Sequence, residues 1–353
     1  MSTDLEAGDG FEGGTVVAEH PAVDPRPHTT RAHRIRAMSV YVVAFLLWTH
    51  FIGLPNDPIG VFLWMWAAGI AWNIDAPRAY HLRFPADWWP VLLGLAAYWF
   101  TRGLADNDGI PIHTMMPIHF DTWLVKILGL GHDIPTVQLQ HALCGNPCTN
   151  GTPTHWYDLF FSAVYSTHFF LGLTLAAILW VRNRDSWKMW MRRYLALNYA
   201  GLLIYFIYPM EPPWMASAQG HLPVVHRVTS RGFSAIGLDR ANIVLQGMGN
   251  QVAAMPSLHA GGAFLVCFYG MWRLRTKWRF LLPLYPIAMS TALVYSAEHY
   301  VVDVLAGGLL AGAVMVGCWA WESRRARATA RRLTFAAVET VEPVETEPPG
   351  APA

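Results

Sequence analysis

The sequence contains few charged side chains. Only 14% of its 353 residues are Asp, Glu, Lys or Arg, whereas 54% are hydrophobic and 13% are aromatic. A soluble fold of this length would not need so much apolar surface, and aromatic rings collect at membrane interfaces, so the composition predicts a membrane protein. The formal net charge of +1 provides no basic excess, which argues against nucleic acid as a partner.

An apolar segment is also missing at the N-terminus. The first apolar run starts near Met38, so no cleavable signal peptide is predicted. Residues 1–36 are predicted to form a disordered cytoplasmic tail, because the beginning of this stretch is rich in Gly, Pro, Asp and Glu and has no apolar period. Residues 324–353 are predicted to form a second cytoplasmic tail, first basic and then disordered. Residues 37–323 remain as one transmembrane domain.

The apolar segments between the tails are long enough to be membrane helices, which need about 20 residues, although the second and third are short. They lie at about 37–54, 58–73, 87–101, 157–180, 194–210, 255–272, 279–296 and 300–321. The predicted fold is therefore all-α, a polytopic bundle of about eight transmembrane helices.

The distribution of basic residues predicts the orientation of this bundle. Eight spans with both termini inside place 20 of the 25 Lys and Arg residues on the cytoplasmic side, as the positive-inside rule requires. The two long outer loops, at about 102–156 and 211–254, then hold only Arg102, Lys126, Arg227, Arg231 and Arg240. Apolar residues scattered through 110–143 predict short helices lying on the outer membrane surface.

Cysteine is scarce, with four residues in the chain. Cys144 and Cys148 fall in the first outer loop, where an oxidising compartment favours a disulfide. The less favoured alternative is a zinc site, which would recruit ligands from the three nearby histidines, His132, His141 and His155. Cys267 and Cys318 lie in apolar spans and are interpreted as packing residues.

The strongest chemical pattern is His299-x-x-x-Asp303 at the mouth of the last span. Residues four apart share one face of a helix, so Asp303 can accept a hydrogen bond from the His299 imidazole. This contact fixes the tautomer and leaves the other ring nitrogen available as a nucleophile. The alternative for either histidine alone is a polar anchor at the membrane interface.

A second pattern, Pro256-Ser257-Leu258-His259, opens the sixth span. Free backbone N–H groups at a helix N-terminus form a phosphate site, and His259 is placed beside it as a proton donor to a leaving oxygen. The predicted topology brings His259 and His299 to the same membrane face. Ionisable groups are rare and costly near lipid, so the pair favours a functional site over two anchors.

The two patterns together resemble the second and third signature motifs of the type 2 phosphatidic acid phosphatase superfamily. This resemblance covers about residues 157–320 and implies metal-free cleavage of phosphate esters, with no cofactor. It also implies that His299 is the nucleophile, Asp303 its orienting group, His259 the general acid and Ser257 a phosphate contact. The first spans would be additions to a six-helix phosphatase-like core.

The sequence departs from the complete family pattern at two places. Leu293 stands where members carry an Arg six residues before the nucleophile, and no Lys-x6-Arg-Pro motif is found. These departures, with Tyr208-Pro-Met-Glu-Pro212-Pro213-Trp214, make the chain more similar to the inositol phosphorylceramide synthase branch. Another cation must then meet the phosphate, and Arg231 and Arg227 are the preferred candidates, the alternative being solvated loop charges or lipid headgroup contacts.

His168 and Tyr165, on the fourth span, are further candidates for substrate contact, although a structural hydrogen bond between helices is favoured for His168. The predicted function is a lipid-phosphate phosphotransferase that works at the extracytoplasmic face of a bacterial-type plasma membrane. Its partners would be a lipid donor carrying a head group such as inositol phosphate, and an alcohol, glycan or lipid acceptor. A simple lipid phosphatase that uses water is the alternative, and a proton-coupled transporter is a third class.

Overall fold

The computed structural model describes residues 29–53, 55, 57–102, 109–149, 151–238 and 251–339. Across these residues the chain is helical or irregular, so the all-α prediction is confirmed. The only β-type pairing within the described ranges is a pair of isolated bridges, which join His113 to Met210 and Met210 to Ala253.

The helices fall into long apolar elements and short elements that lie in the predicted outer loops. The helices are α1 Arg31–Phe51, α2 Pro58–Trp72, α3 Arg78–Arg102, α4 Met115–Leu128, α5 Pro135–Leu143, α6 Trp156–Ser166, α7 Leu171–Arg182, α8 Arg184–Ile207, α9 Pro213–Ala218, α10 Arg231–Ser234, α11 Leu258–Arg273, α12 Leu284–Tyr295 and α13 Val301–Glu339. Two 3₁₀ turns, Thr167–Phe169 and Lys277–Leu281, precede α7 and α12.

Both ends of the helical region extend beyond the predicted limits. Helix α1 begins at Arg31, inside the segment 1–36 that was predicted to be disordered, because the Thr30 side chain caps it by accepting from the His33 N–H. Arg34 also stacks over Trp72 and donates to its carbonyl. Helix α13 continues through Glu339. Residues 1–28 and 340–353, and the outer-loop residue Arg240, lie outside the described residues.

Within the described residues, two helical stretches have the length and composition to cross a membrane, Trp156–Arg182 and Val301–Thr334, and Ile59–Trp72 is a shorter apolar helix. The first stretch corresponds to the predicted fourth span, and it is not a regular helix. Helix α6 ends at Ser166, and the 3₁₀ turn Thr167–Phe169 leads into α7. This break turns the side chains at 165–168 toward neighbouring helices.

The core at the predicted cytoplasmic end is built from tryptophan. Trp88 and Trp187 have ring centroids 5.6 Å apart, and Trp190 is fully buried beside them. Arg193, also fully buried, forms a two-point ion pair with Glu322 of α13, with Nη2–Oε2 at 2.8 Å and Nη1–Oε1 at 2.9 Å. Helices α8 and α13 are therefore tied together by this ion pair.

Helices α11 and α13 pack closely near their N-terminal ends, and glycine makes this possible. A Cβ atom on Gly307 would lie 2.3 Å from the Ser257 carbonyl oxygen, and one on Gly261 would lie 3.2 Å from the Gly307 oxygen. The Ser257 N–H also donates to the Asp303 carbonyl at 3.0 Å. The two motifs that were read separately in the sequence are thus joined by a backbone hydrogen bond.

Replacing Gly307 with alanine is expected to lower the stability of the protein in detergent by about 1–3 kcal/mol, because the new methyl group meets a backbone oxygen that cannot move aside. Gly317, on the same helix, has open space around its Cβ position. Gly317→Ala is the matched control and should be neutral or stabilising by up to about 1 kcal/mol, since alanine favours helix. Thermal unfolding of the two variants measures the difference, and equal stabilities would contradict the close packing.

Candidate active site

His299 and Asp303 are both buried at the start of α13. The His299 Nδ1 atom lies 3.3 Å from Asp303 Oδ2, and the two side chains are 7% and 0% exposed. The same carboxylate oxygen accepts the Tyr300 N–H at 2.9 Å. The backbone of Ala254 provides a further hydrogen bond to the His299 ring. The imidazole is therefore held in one orientation.

A tight turn after α12 presents His299 to the site. Ala297 adopts a left-handed conformation with φ of 60°, which is uncommon for a residue that has a Cβ atom. The N–H groups of Glu298 and His299 both point back to the Leu293 carbonyl, at 3.1 and 3.4 Å. The Leu293 side chain is fully buried in an apolar cluster. The position where related sequences carry an Arg is a packing position here.

His259 lies one residue into α11, on the opposite side of the site. Its ring centroid is 5.7 Å from that of His299. Its Nε2 atom is buried and has no hydrogen-bond partner among the residues that the structure describes. Ser257 begins the helix: its hydroxyl accepts the Ala260 N–H at 3.2 Å, and the side chain is fully buried. Ser257 thus acts as the N-cap that positions His259, a role beside the predicted phosphate contact.

The helix break between α6 and α7 brings two predicted residues to His259. The Tyr165 ring stacks on His259 with centroids 4.7 Å apart, and the His168 ring lies 4.0 Å away on the same histidine. Residues three apart are neighbours on a helix surface, so Tyr165 at the end of α6 and His168 in the following 3₁₀ turn can both reach this imidazole. The structure thus brings together His299, His259, His168 and Tyr165.

Arg227 is the predicted cation that reaches this cluster. Its Nε atom donates to Glu298, the residue next to His299, and its guanidinium also bonds to Tyr165. Burial opposes the charge, but Glu298 and Tyr165 outweigh it and raise the pKa of Arg227, which keeps the guanidinium protonated. Buried Gln140 holds the preceding residue through both backbone groups of His226, at 2.7 and 3.1 Å.

Arg231, the other predicted phosphate contact, is placed elsewhere. The structure joins Cys144 and Cys148 in a disulfide, and the Arg231 guanidinium donates to the segment that follows this bond. It bonds to the Thr149 carbonyl at 2.8 Å, to the Thr152 carbonyl at 2.9 Å, and its Nε lies 3.5 Å from the buried Asp158 carboxylate. The Arg231 guanidinium is therefore held by the Thr149 and Thr152 carbonyl groups and by the buried Asp158 carboxylate.

Two further residues act at the site: Arg102, one of the few cations of the predicted outer loops, and Asp121, which the sequence patterns did not indicate. The charge of Arg102, at the end of α3, acts on both His168 and His259. Asp121 of α4 is fully buried and accepts the N–H groups of Val301 and Val302, at 2.9 and 3.2 Å. Burial raises the pKa of Asp121 to about 7, against the opposing effect of these two donors. The sequence feature that could have drawn attention to Asp121 is that it is a lone acidic residue among the apolar residues of a predicted surface helix.

An open cavity of about 580 Å³ lies beside Arg227 on the outer side of the cluster. Trp214, Ser217, His226 and Arg227 are among its lining residues. Sites for small ligands commonly have volumes of about 300–1,000 Å³. The cavity is therefore large enough for a polar head group. Arg227 lines it and also bonds to Glu298, the residue next to His299.

The fold and the site define a helical membrane protein whose two histidines and an aspartate meet in a buried cluster at the ends of packed helices. The sequence profile of the PAP2 superfamily matches residues 140–338, more than half of the chain, and the protein belongs to this superfamily. The resemblance predicted from the two motifs is confirmed.

Three characterised proteins are similar to the chain. It is 27% identical to the phosphoinositol dihydroceramide synthase of Bacteroides thetaiotaomicron over 48% of the chain and 58% of the relative. It is 29% identical to the inositol phosphorylceramide synthase catalytic subunit of Schizosaccharomyces pombe, over 35% of the chain and 30% of the relative. For the inositol phosphorylceramide synthase of Candida albicans the identity is 24%, over 40% and 32%. The similarity thus spans between about a third and three fifths of these relatives, and no solved structure matches the chain.

Proposed function

We propose that the protein is a lipid-phosphate phosphotransferase that moves a phosphorylated head group from a lipid donor to an alcohol acceptor through a phosphohistidine. One observation carries this proposal: the ring centroids of His299 and His259 lie 5.7 Å apart across a buried site. The helices beside these two residues are joined by the backbone hydrogen bond from Ser257 to Asp303. A phosphorus atom placed between the two rings meets a nucleophile on one side and a proton donor on the other.

In the first step, the His299 nitrogen that does not face Asp303 attacks the phosphorus of the donor lipid. A P–N bond forms, and the bond from phosphorus to the diacylglycerol oxygen breaks. His259 gives its ring proton to that oxygen, so the diacylglycerol leaves as a neutral alcohol. Asp303 stabilises the positive charge that His299 acquires, as the acid of a catalytic triad does.

In the second step, the hydroxyl of the acceptor attacks the same phosphorus from the side that the diacylglycerol has left. His259, now neutral, takes the hydroxyl proton, a new P–O bond forms, and the P–N bond to His299 breaks. The enzyme returns to its starting protonation state. Water in place of the acceptor would complete a hydrolysis by the same sequence, so the acceptor alone decides between transfer and hydrolysis.

Arg227 and Arg102 are the proposed cations for the phosphate. Family members with the complete pattern use other Lys and Arg positions, and here Leu293 occupies one of them in an apolar cluster. Arg227 contacts Tyr165 and Glu298 at the site, and the charge of Arg102 acts on His259 and His168. Preorganised cations beside a developing negative charge lower the barrier without rearrangement during the reaction.

The names of the three relatives indicate transfer of an inositol phosphate group to a ceramide-type lipid in those proteins. For this chain we propose inositol phosphate as the first head group to test and a lipid alcohol as the acceptor. The cavity beside Arg227 supports this choice, because its walls combine an aromatic ring, Trp214, with polar groups, as is common for binding of a polyol.

The site is proposed to face the extracytoplasmic side of a membrane crossed about eight times, with both termini inside. The positions of 20 of the 25 basic residues support this orientation. The Cys144–Cys148 disulfide supports it independently, because such bonds persist in oxidising compartments. Trp123, Ile127 and Leu128 of α4 are more than half exposed, as expected of a helix that rests on the membrane surface.

The test uses the full chain, purified and reconstituted in vesicles with phosphatidylinositol labelled in the inositol ring. With ceramide present, we expect the label to appear in a new lipid, and without ceramide its release should be slow. Vesicles containing phosphatidic acid or a polyprenyl phosphate, each labelled in the phosphate, form parallel arms.

Label released only as water-soluble inositol phosphate, at a rate that ceramide does not change, would establish hydrolysis and overturn the transfer. Absence of turnover with every donor would overturn the enzymatic proposal as a whole.

A further inference from the structure

The residue just before α13, Tyr300, cannot cap the helix with its side chain. Tyr300 immediately precedes the first helical residue, Val301, and an N-cap normally uses a short oxygen-bearing side chain to accept the N–H groups of the first turn. The tyrosine ring is fully buried, and its hydroxyl has no hydrogen-bond partner among the described residues. The catalytic His299 therefore stands directly before a helix end whose own sequence provides no acceptor for its first N–H groups.

A carboxylate from a distant part of the chain fills this role. Asp121 Oδ2 accepts the Val301 N–H at 2.9 Å, and Asp121 Oδ1 accepts the Val302 N–H at 3.2 Å. The two contacts span 180 and 181 residues of sequence. Asp303 completes the arrangement by reaching back to the Tyr300 N–H, as the third residue of a capping box does. Three consecutive N–H groups beside His299 are thus held by two buried carboxylates.

We propose that Asp121 is a positioning residue for the phosphotransfer, capping α13 in trans and thereby fixing the height and direction of His299 and Asp303. It would not touch the substrate. The inference rests on the proposed function. Attack on phosphorus requires the nucleophile within a fraction of an ångström of its reactive position, and a displacement of about 1 Å can lower the rate a hundredfold. A helix end without acceptors would rotate or fray and move His299 by such distances.

The test compares Asp121→Ala, Asp121→Asn and Asp121→Glu with Asp57→Ala in the head-group transfer assay. Asp57 is the matched control, because its carboxylate caps α2 by accepting the Gly60 N–H at 2.7 Å, remote from the site. We expect Asp121→Ala to lower kcat by roughly tenfold to a hundredfold with KM changed less than twofold. Asp121→Glu, which keeps the acceptor on a longer stem, should recover part of the loss, and Asp57→Ala should match the wild type.

A second measurement does not depend on the lipid substrate. Diethyl pyrocarbonate modifies neutral imidazoles, and mass spectrometry reports the rate at each histidine. His299 is 5% exposed. Asp121→Asn replaces one of the two acceptor oxygens by an N–H donor that faces a backbone N–H, so it disrupts half of the cap and should speed the modification of His299 several-fold, while the exposed His221 serves as the internal reference. This variant is nearly isosteric, so it remains informative where the alanine variant does not fold.

Two results would overturn the inference. One is a kcat for the Asp121 variants equal to that of Asp57→Ala while the wild type is active. The other is an unchanged modification rate at His299 in Asp121→Asn. A wild type that transfers nothing while His299 becomes more reactive in Asp121→Asn would instead remove the proposed function and leave a structural cap.

Discussion

Replacing His299 with alanine is expected to lower head-group transfer by about a thousandfold or more, because the variant has no group that can form the phosphoenzyme. The loss should appear in kcat, since the alanine leaves Arg227, Arg102 and the cavity in place to bind the donor. His221→Ala is the control, because His221 is exposed and lies outside the ring cluster. This control should transfer at the wild-type rate.

The intermediate itself can be trapped. A donor labelled with ³²P in its phosphate should leave radioactivity on the wild-type protein when the reaction is stopped without acceptor. The linkage should survive alkali and be lost in acid, because a P–N bond to imidazole is acid-labile. Label on the His299→Ala protein, or alkali-labile label on the wild type, would assign the nucleophile to another side chain.

Substitution of Arg227 by methionine is expected to lower kcat by about a hundredfold to a thousandfold, the usual loss when one preorganised charge is removed from a transition state. The lysine variant should retain part of the activity, because it keeps the charge and loses the paired donors. The substitution also leaves Glu298 without its partner, and the double variant Arg227→Met with Glu298→Gln separates the two effects. If Arg227 serves the phosphate, the double variant stays slow.

Recovery of wild-type activity in the double variant would show that Arg227 only neutralises Glu298. Arg231→Met is the matched control, since Arg231 is a buried arginine only four residues away that bonds to the segment after the Cys144–Cys148 disulfide. We expect its variant to unfold at a lower temperature, and its folded fraction to keep nearly the full kcat.

The fold could be predicted from the sequence where a property is local. The apolar segments of the sequence predicted where helices form. The fourth predicted span is the exception, because the 3₁₀ turn Thr167–Phe169 interrupts it. Hydrophobicity reports that a segment can enter a membrane, and it does not report where a helix is broken. The start of α1 was placed too late, because the cap at Thr30 and the contacts of Arg34 with Trp72 stabilise a helix that composition alone did not indicate.

The number of membrane crossings and their orientation stay predictions. By length and composition, two stretches of the described structure qualify as candidate spans. Helices such as α11 and α12 are shorter than a bilayer requires. Labelling of single cysteines introduced into the two outer loops would measure the side directly.

The sequence by itself was enough to propose the chemistry of the site. His299 and Asp303 are four residues apart, the first just before α13 and the second in its first turn, and Ser257 caps the helix that carries His259, so local spacing related each group to its neighbour. The same reasoning identified the superfamily. Tertiary structure decided which arginine lies beside the histidine cluster, because Arg227 and Arg231 are indistinguishable as charges in one loop. Only the surrounding acceptors direct the first to Glu298 and the second to the segment after the disulfide. It also decided how α13 is capped: Tyr300 has no short oxygen-bearing side chain that could accept the N–H groups of the first turn, and Asp121 comes close to them only after the chain has folded.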